Sequence, residues 1–145
     1  MIKLVASDLD GTLLHNYQQT VPKEIYDTIK ALQEKGIIFT AASGRQYANI
    51  RRLFAPLGFD IPYIAENGSL CIYKEEVLAT GLTPSKTIRH ILDALMEYRK
   101  IYHTGHCILS VKDTYYSDST DERFIDYMEN DMHNIVTYVP DLYAI

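Results

Sequence analysis

The chain has 145 residues, 47% of them hydrophobic and 23% charged, with a formal net charge of −5 and a sequence pI of about 5.4. That composition supplies a globular core and argues against disorder. The Lys and Arg residues are scattered with no basic stripe, which argues against nucleic acid as the main partner, and no apolar run approaches the ~20 residues of a membrane span. Asp8 cuts the N-terminal apolar stretch, so the stretch does not read as a signal peptide. Two cysteines, Cys71 and Cys107, make no disulfide scaffold, and a reducing cytoplasm is the expected location.

Residues 2–7 form a short apolar run, read as a buried strand. Pro22 is placed at the first position of a helix, where its fixed φ fits. Ile25, Ile29 and Leu32 then recur at helical spacing, and Gly36 closes the helix. A second apolar run, 37–42, leads into Ser43-Gly44-Arg45. The next helix is expected over 46–57, ending at Gly58, and a third strand over 62–65, followed by Glu66-Asn67-Gly68. Strand, helix, strand, helix, strand is the pattern of a parallel, doubly wound sheet.

Beyond Gly68 the pattern changes. Residues 70–73 and 77–80 flank Lys74-Glu75-Glu76 and read as a hairpin. Thr83-Pro84 opens a helix with Ile88, Ile91, Leu92 and Leu95 expected on one face. Residues 107–111 and 115–117 flank Lys112-Asp113-Thr114, a second hairpin. Ser119-Thr120-Asp121-Glu122 matches a capping box before a helix of about ten residues, and 135–139 reads as a last strand. This second region reads as α+β and antiparallel. The boundary is placed near Leu82, giving domains 1–82 and 83–145.

The chemistry concentrates where the first strand ends, in Asp8-Leu9-Asp10-Gly11-Thr12-Leu13-Leu14. Residues i and i+2 of an extended chain point to one side and lie roughly 6.5–7 Å apart. One carboxylate can attack an electrophile while its neighbour handles a proton. Gly11 lets the chain turn at once, and Thr12 can bond local backbone there. Asp10-Gly11 by itself is ordinary turn composition. Three polar loops, however, follow three expected parallel strands, and in open α/β sheets ligands bind beyond the carboxyl ends of the strands. Ser43 and the amides of Gly44 and Arg45 are expected at a helix N-terminus, an anion site. A helix N-cap is an equally good role for Ser43.

The string Asp8–Thr12 resembles the first motif, Asp-x-Asp-Gly-Thr, of the haloacid dehalogenase superfamily of phosphatases and phosphotransferases. Ala42-Ser43-Gly44-Arg45 looks like its second motif, and Glu66-Asn67-Gly68-Ser69 resembles the Asn-Gly of its Cof-type subfamily, which carries an α/β cap of type IIB. The resemblance implies a Rossmann-like α/β core with an inserted α+β cap. It implies Asp8 as nucleophile, Asp10 as general acid and then general base, and Mg²⁺ held by the Asp8 carboxylate and the Asp10 carbonyl. Phosphate or substrate contacts are implied at Leu9, Thr12, Ser43, Gly44, Arg45 and Asn67. The implied substrate is a small phosphorylated metabolite resembling a sugar phosphate. A phosphomutase shares the same opening motif.

The family's third motif, a Lys, and fourth, an acidic Gly-Asp cluster, have no counterpart here. Lys74, Lys86, Lys100 and Lys112 fall in the hairpin or the cap. Core and cap are therefore both expected to be incomplete, the chain being an N-terminal fragment with half an active site. A catalytically incomplete chain is the alternative to a phosphatase, and self-association through an exposed sheet edge is expected. His103-x-x-His106-Cys107 reads as a polar loop rather than a metal site, because no fourth ligand is evident. The tyrosines at 98, 102, 115, 116, 127, 138 and 143 are expected mostly in the core or half-buried on strands.

Overall fold

The computed structural model describes residues 1–15, 18–111 and 114–145. The chain divides into two compact units, Met1–Gly81 and Leu82–Ile145. In the first, β1 (Leu4–Asp8), α1 (Lys23–Glu34), β2 (Ile38–Ala42), α2 (Tyr47–Phe54) and β3 (Tyr63–Ala65) alternate. β4 (Leu70–Tyr73) and β5 (Glu76–Thr80) follow as a hairpin. The five strands form one sheet in sequential order, with β1, β2 and β3 parallel and β4 and β5 antiparallel to their neighbours. Asp8 pairs with Ala42 and Ala42 with Ile64, so the loops after β1, β2 and β3 leave the sheet at one level. The hairpin that marks the change of pattern thus extends the parallel sheet. Its turn, Lys74-Glu75, has both residues at positive φ, the geometry that matches strand twist in a two-residue hairpin.

The apolar face of α1 buries Ile29, with Ile25 and Leu32 packed beside it, against Phe39, Ile50, Leu53, Phe54 and Leu57. Gly36 follows the helix at φ +69°, as expected of a closing glycine. Pro22 sits one position earlier than expected: its ψ of 144° is extended, making it the N-cap. The α-helical part of α2 stops at Phe54, and 55–57 form a 3₁₀ turn, because Pro56 has no N–H to continue the ladder. β1 is one edge of the sheet, with Leu4 exposed and Val5 half-buried, so the first strand is not the buried one its apolar run predicts, because an edge strand is covered on one side only.

The second unit holds α3 (Ser85–Tyr102), β6 (Leu109–Val111), β7 (Thr114–Ser117), α4 (Glu122–Asp126) and β8 (Val136–Tyr138). β6 and β7 pair antiparallel, as a hairpin should; Lys112 and Asp113 of its turn lie outside the described residues. β8 joins β7 in parallel, correcting the expectation of a purely antiparallel unit. The connection through α4 is long enough for a crossover, and a crossover returns the chain in the same direction.

Two further expectations shift. The cap of α4 is Asp121, whose Oδ1 accepts from the Arg123 N–H at 2.9 Å. Ser119 is two residues too early, its hydroxyl accepting from the Asp121 N–H. A five-residue π turn, Tyr127–Asp131, continues α4. On α3, Leu92 is buried and Ile91 exposed, so the inward stripe is narrower than the apolar spacing implies. The tyrosines follow the expectation for the larger part: Tyr115 is buried and Tyr116, Tyr138 and Tyr143 are half-buried, while Tyr98, Tyr102 and Tyr127 are exposed.

Candidate active site

The turn after β1 is built around Leu9 and Leu14, both fully buried. The Leu9 carbonyl accepts from the N–H groups of Thr12, Leu13 and Leu14 at 2.8–3.1 Å, and the Gly11 N–H donates to Leu14 O at 2.8 Å. Gly11 has φ +83°, a conformation that costs a side-chain-bearing residue about 1 kcal/mol or more. Anchoring the two leucines inside turns Asp8 and Asp10 outward, and both are exposed. The Thr12 hydroxyl donates to Asp8 Oδ2 at 3.4 Å.

The loop after β2 is tied to the loop after β3. The Ser43 N–H donates to Ile64 O at 2.8 Å, the Asn67 N–H to Ser43 O at 3.2 Å and the Glu66 N–H to Arg45 O at 3.1 Å. Asn67 is left-handed (φ 55°, ψ 32°), which Asn tolerates better than most residues. Its side chain lies on Gly44: a Cβ there would sit 2.7 Å from Asn67 Oδ1. Gly44 thus lets the Asn67 side chain lie in its present place. Ser43 is buried and accepts from the Arg45 N–H at 3.2 Å. The N-cap of α2 is Gln46, without a side-chain bond. The expected helix-terminal site is corrected accordingly, because α2 starts three residues after Gly44 and the Arg45 amide already has an acceptor.

Arg45 joins these loops. Its Nε donates to Asp10 Oδ2 at 2.8 Å and its Nη2 to Asp10 Oδ1 at 2.6 Å. Its Nη1 reaches Gln19 Oε1 at 3.0 Å and Asn49 Oδ1 at 3.2 Å. A bidentate guanidinium–carboxylate pair fixes the plane of the carboxylate. Asp8, Asp10, Thr12, Ser43, Gly44, Arg45 and Asn67 thus lie in three interlocked loops beyond the strand ends. Leu9 differs, its side chain belonging to the core. The partners Gln19 and Asn49 escaped sequence reasoning. Asn49 follows Arg45 at i+4, the spacing at which side chains on a helical face meet, and that was the available signal.

Asp8 offers a hard carboxylate and Asp10 a backbone carbonyl, oxygen ligands of the kind Mg²⁺ takes, while both oxygens of the Asp10 carboxylate are engaged by Arg45. Among the described residues no group of three or more His, Cys, Asp or Glu side chains is placed to hold a metal. That includes His103, His106 and Cys107. Burial pushes the Cys107 thiol up from its ordinary value, away from the thiolate a metal needs. Both cysteines are free. The second unit carries an open cleft of about 450 Å³ lined by Arg99, His103, Thr104, His106, Asp118 and Asp121, among others. No helix of the described residues is long and apolar enough to cross a membrane.

A family model described as haloacid dehalogenase-like hydrolase matches residues 5–143. Phosphoglycolate phosphatase 1 of Saccharolobus solfataricus is 40% identical over 77 residues, covering 52% of this chain and 34% of that protein. The phosphoglycolate phosphatase of Staphylothermus marinus is 34% identical over 102 residues, 69% of this chain and 42% of that one. A haloacid dehalogenase-like hydrolase from B. subtilis superposes with a TM-score of 0.79 at 20% identity, over 99% of this chain and 56% of that structure. The chain thus spans well under half the length of these two curated relatives and about half of that solved structure.

Proposed function

The chain belongs to the haloacid dehalogenase-like hydrolases, and we propose that within that family it is the part of a phosphatase that carries the nucleophile and the acid–base carboxylate. The substrate is a small phosphorylated metabolite, with a sugar phosphate as the chemical class. The observation that supports this most directly is two outward carboxylates one residue apart on a rigid turn, the second gripped by a buried arginine.

Asp8 attacks phosphorus, forming an aspartyl phosphate as the ester bond breaks. Asp10 gives its proton to the departing alkoxide, then takes one from the water that hydrolyses the aspartyl phosphate. Water's oxygen leaves with inorganic phosphate and Asp8 is regenerated. Ser43, Gly44 and Asn67 form the wall that the phosphoryl oxygens meet, and Thr12 orients Asp8. Mg²⁺ would be held by the Asp8 carboxylate and the Asp10 carbonyl, and when bound it offsets charge as an anion approaches two carboxylates. Residues 1–82 supply this chemistry. Residues 83–145 act as a cap whose polar cleft selects the substrate, in a cytoplasmic setting. The exposed β1 edge and Leu4 favour self-association of the isolated chain.

The test is chemical trapping. Incubation with acetyl phosphate and Mg²⁺, acid quench and borohydride reduction should convert Asp8 to homoserine, read by peptide mass. The label should vanish in Asp8→Asn and without Mg²⁺. Label at another residue, or turnover of an aryl phosphate by Asp8→Asn, overturns the assignment. Turnover by the isolated 145-residue chain should stay below about 1 s⁻¹, the low end of ordinary enzymes, because the described acidic set is only two carboxylates.

A further inference from the structure

Arg45 directs hydrogen bonds two ways. One edge, Nε and Nη2, holds both oxygens of Asp10. The opposite nitrogen, Nη1, is held by the amide oxygens of Gln19 and Asn49. A guanidinium has five N–H donors and no acceptor, so an amide group facing it must present oxygen. Asn49 is 2% exposed and sits in the first turn of α2, whose Ile50, Leu53 and Phe54 are locked in the core. Gln19 is only partly buried. The rigid path therefore runs from the core through α2 and Asn49 to Arg45 and so to Asp10.

We propose that Asn49 is a positioning residue for Asp10, acting through Arg45. The claim rests on the reading of Asp10 as the acid–base group and adds a residue to it. A carboxylate gripped at both oxygens keeps a further lone pair on each, and the fork fixes where those lone pairs point. Without Asn49, Nη1 keeps only the partly buried Gln19 as acceptor, so the guanidinium and the Asp10 carboxylate paired with it can tilt together. The nucleophile Asp8 has no part in this chain of bonds. The deficit should therefore fall on proton transfer and spare attack on phosphorus.

The variant is Asn49→Leu, close in shape but without an acceptor, beside Asn49→Asp, which keeps an acceptor oxygen. Two readouts separate the claim from plain folding damage. The first is hydrogen exchange of the Arg45 Nε–H by ¹⁵N NMR on the full chain, which needs no turnover. Exchange should quicken about tenfold in Asn49→Leu, the weight of one hydrogen bond to a charged group, and stay near wild type in Asn49→Asp. The second is the ratio of turnover on an alkyl phosphate to turnover on p-nitrophenyl phosphate. Nitrophenolate departs without a proton, so the ratio should fall about tenfold or more in Asn49→Leu and recover in Asn49→Asp. Unchanged exchange in Asn49→Leu overturns the proposal, as does an equal loss on both esters. Should Asn49→Leu not fold, Gln19→Met removes the other acceptor, and unchanged exchange there and in Asn49→Asp counts as support for Asn49 as the anchor. If Gln19→Met alone quickens exchange fully, Asn49 is not the anchor and the proposal fails. If wild type cleaves neither ester, the exchange data alone decide: quickened exchange in Asn49→Leu supports the proposal and unchanged exchange overturns it.

Discussion

Each unit contains an arginine that grips an aspartate with two nitrogens, and the two pairs are buried the opposite way round. In Arg45–Asp10 the arginine side chain is 6% exposed and the carboxylate 53%. In Arg99–Asp118 the arginine is 22% exposed and the carboxylate 9%. Arg99 bonds Asp118 at 2.5 and 2.9 Å and the Gly105 carbonyl at 2.9 Å, closing α3 onto the loop before β6. The same chemistry therefore serves two ends. Where the carboxylate is walled in, the pair ties elements together. Where the guanidinium is walled in, the pair presents a carboxylate to the outside in one orientation. The two pairs differ in which partner is buried, the acid in Arg99–Asp118 and the base in Arg45–Asp10.

The sharpest way to break this contrast is Asp8→Asn. Turnover should fall about 10³-fold or more with little change in melting temperature, because Asp8 is exposed and an amide fits its place. A variant that keeps several per cent of wild-type turnover removes the first unit's claim to the chemistry.

The next test crosses the two arginines. Arg99→Ala strands a buried carboxylate and should destabilise the second unit by about 3 kcal/mol, near the lower end for breaking a buried pair. Arg45→Ala strands an exposed carboxylate, which water can solvate, so its charge-related cost should be nearer 1 kcal/mol. Its loss of activity should be the larger effect. Urea unfolding of both variants, with parallel esterase assays, decides this. Equal stability losses would show that the difference in burial has no energetic meaning.

Acid should act on the second unit in a defined direction. The hydrogen bond and charge of Arg99 hold the Asp118 carboxyl below its ordinary value. A carboxyl lowered in the folded state stabilises above its unfolded value of about 3.9 and loses that contribution as pH falls through its folded value. Stability of the second unit should be flat between pH 7 and 5 and drop below about pH 4. In Arg99→Ala that acid-side drop should shrink. A drop of the same size in both proteins assigns it to other carboxylates.

Gly44→Ala should have the smallest effect. Its Cβ meets only the end of the Asn67 side chain, which can rotate aside. Folding should change by under ~1 kcal/mol, while affinity for inorganic phosphate, read by calorimetry, should weaken several-fold. Unchanged phosphate binding would detach Asn67 from the site.

Much of the first unit was legible in the residues alone. Local rules act there without help: alternating apolar runs and helical spacing, Gly36 and Gly58 at helix ends, and two aspartates on a strand end before a glycine. Each of these depends on neighbours a few residues away. The same local rules placed a capping box on Ser119, where backbone direction at Asp121 decides the cap. They also turned Ile91 inward, whereas it is exposed and Leu92 beside it is the buried residue.

The sequence by itself determined that three polar loops follow three parallel strands and that Asp8 and Asp10 point the same way, because strand pleat and helix period are properties of the chain. Only the tertiary structure decided that the β4–β5 hairpin extends the core sheet, that β8 runs parallel to β7, and that Arg45 turns onto Asp10 with Gln19 and Asn49 behind it. Sheet order and strand direction are set by which apolar faces pack together, and Arg45 meets Asp10 and Gln19 across 35 and 26 residues of separation; of its partners only Asn49, at i+4, stands at a spacing a local pattern supplies.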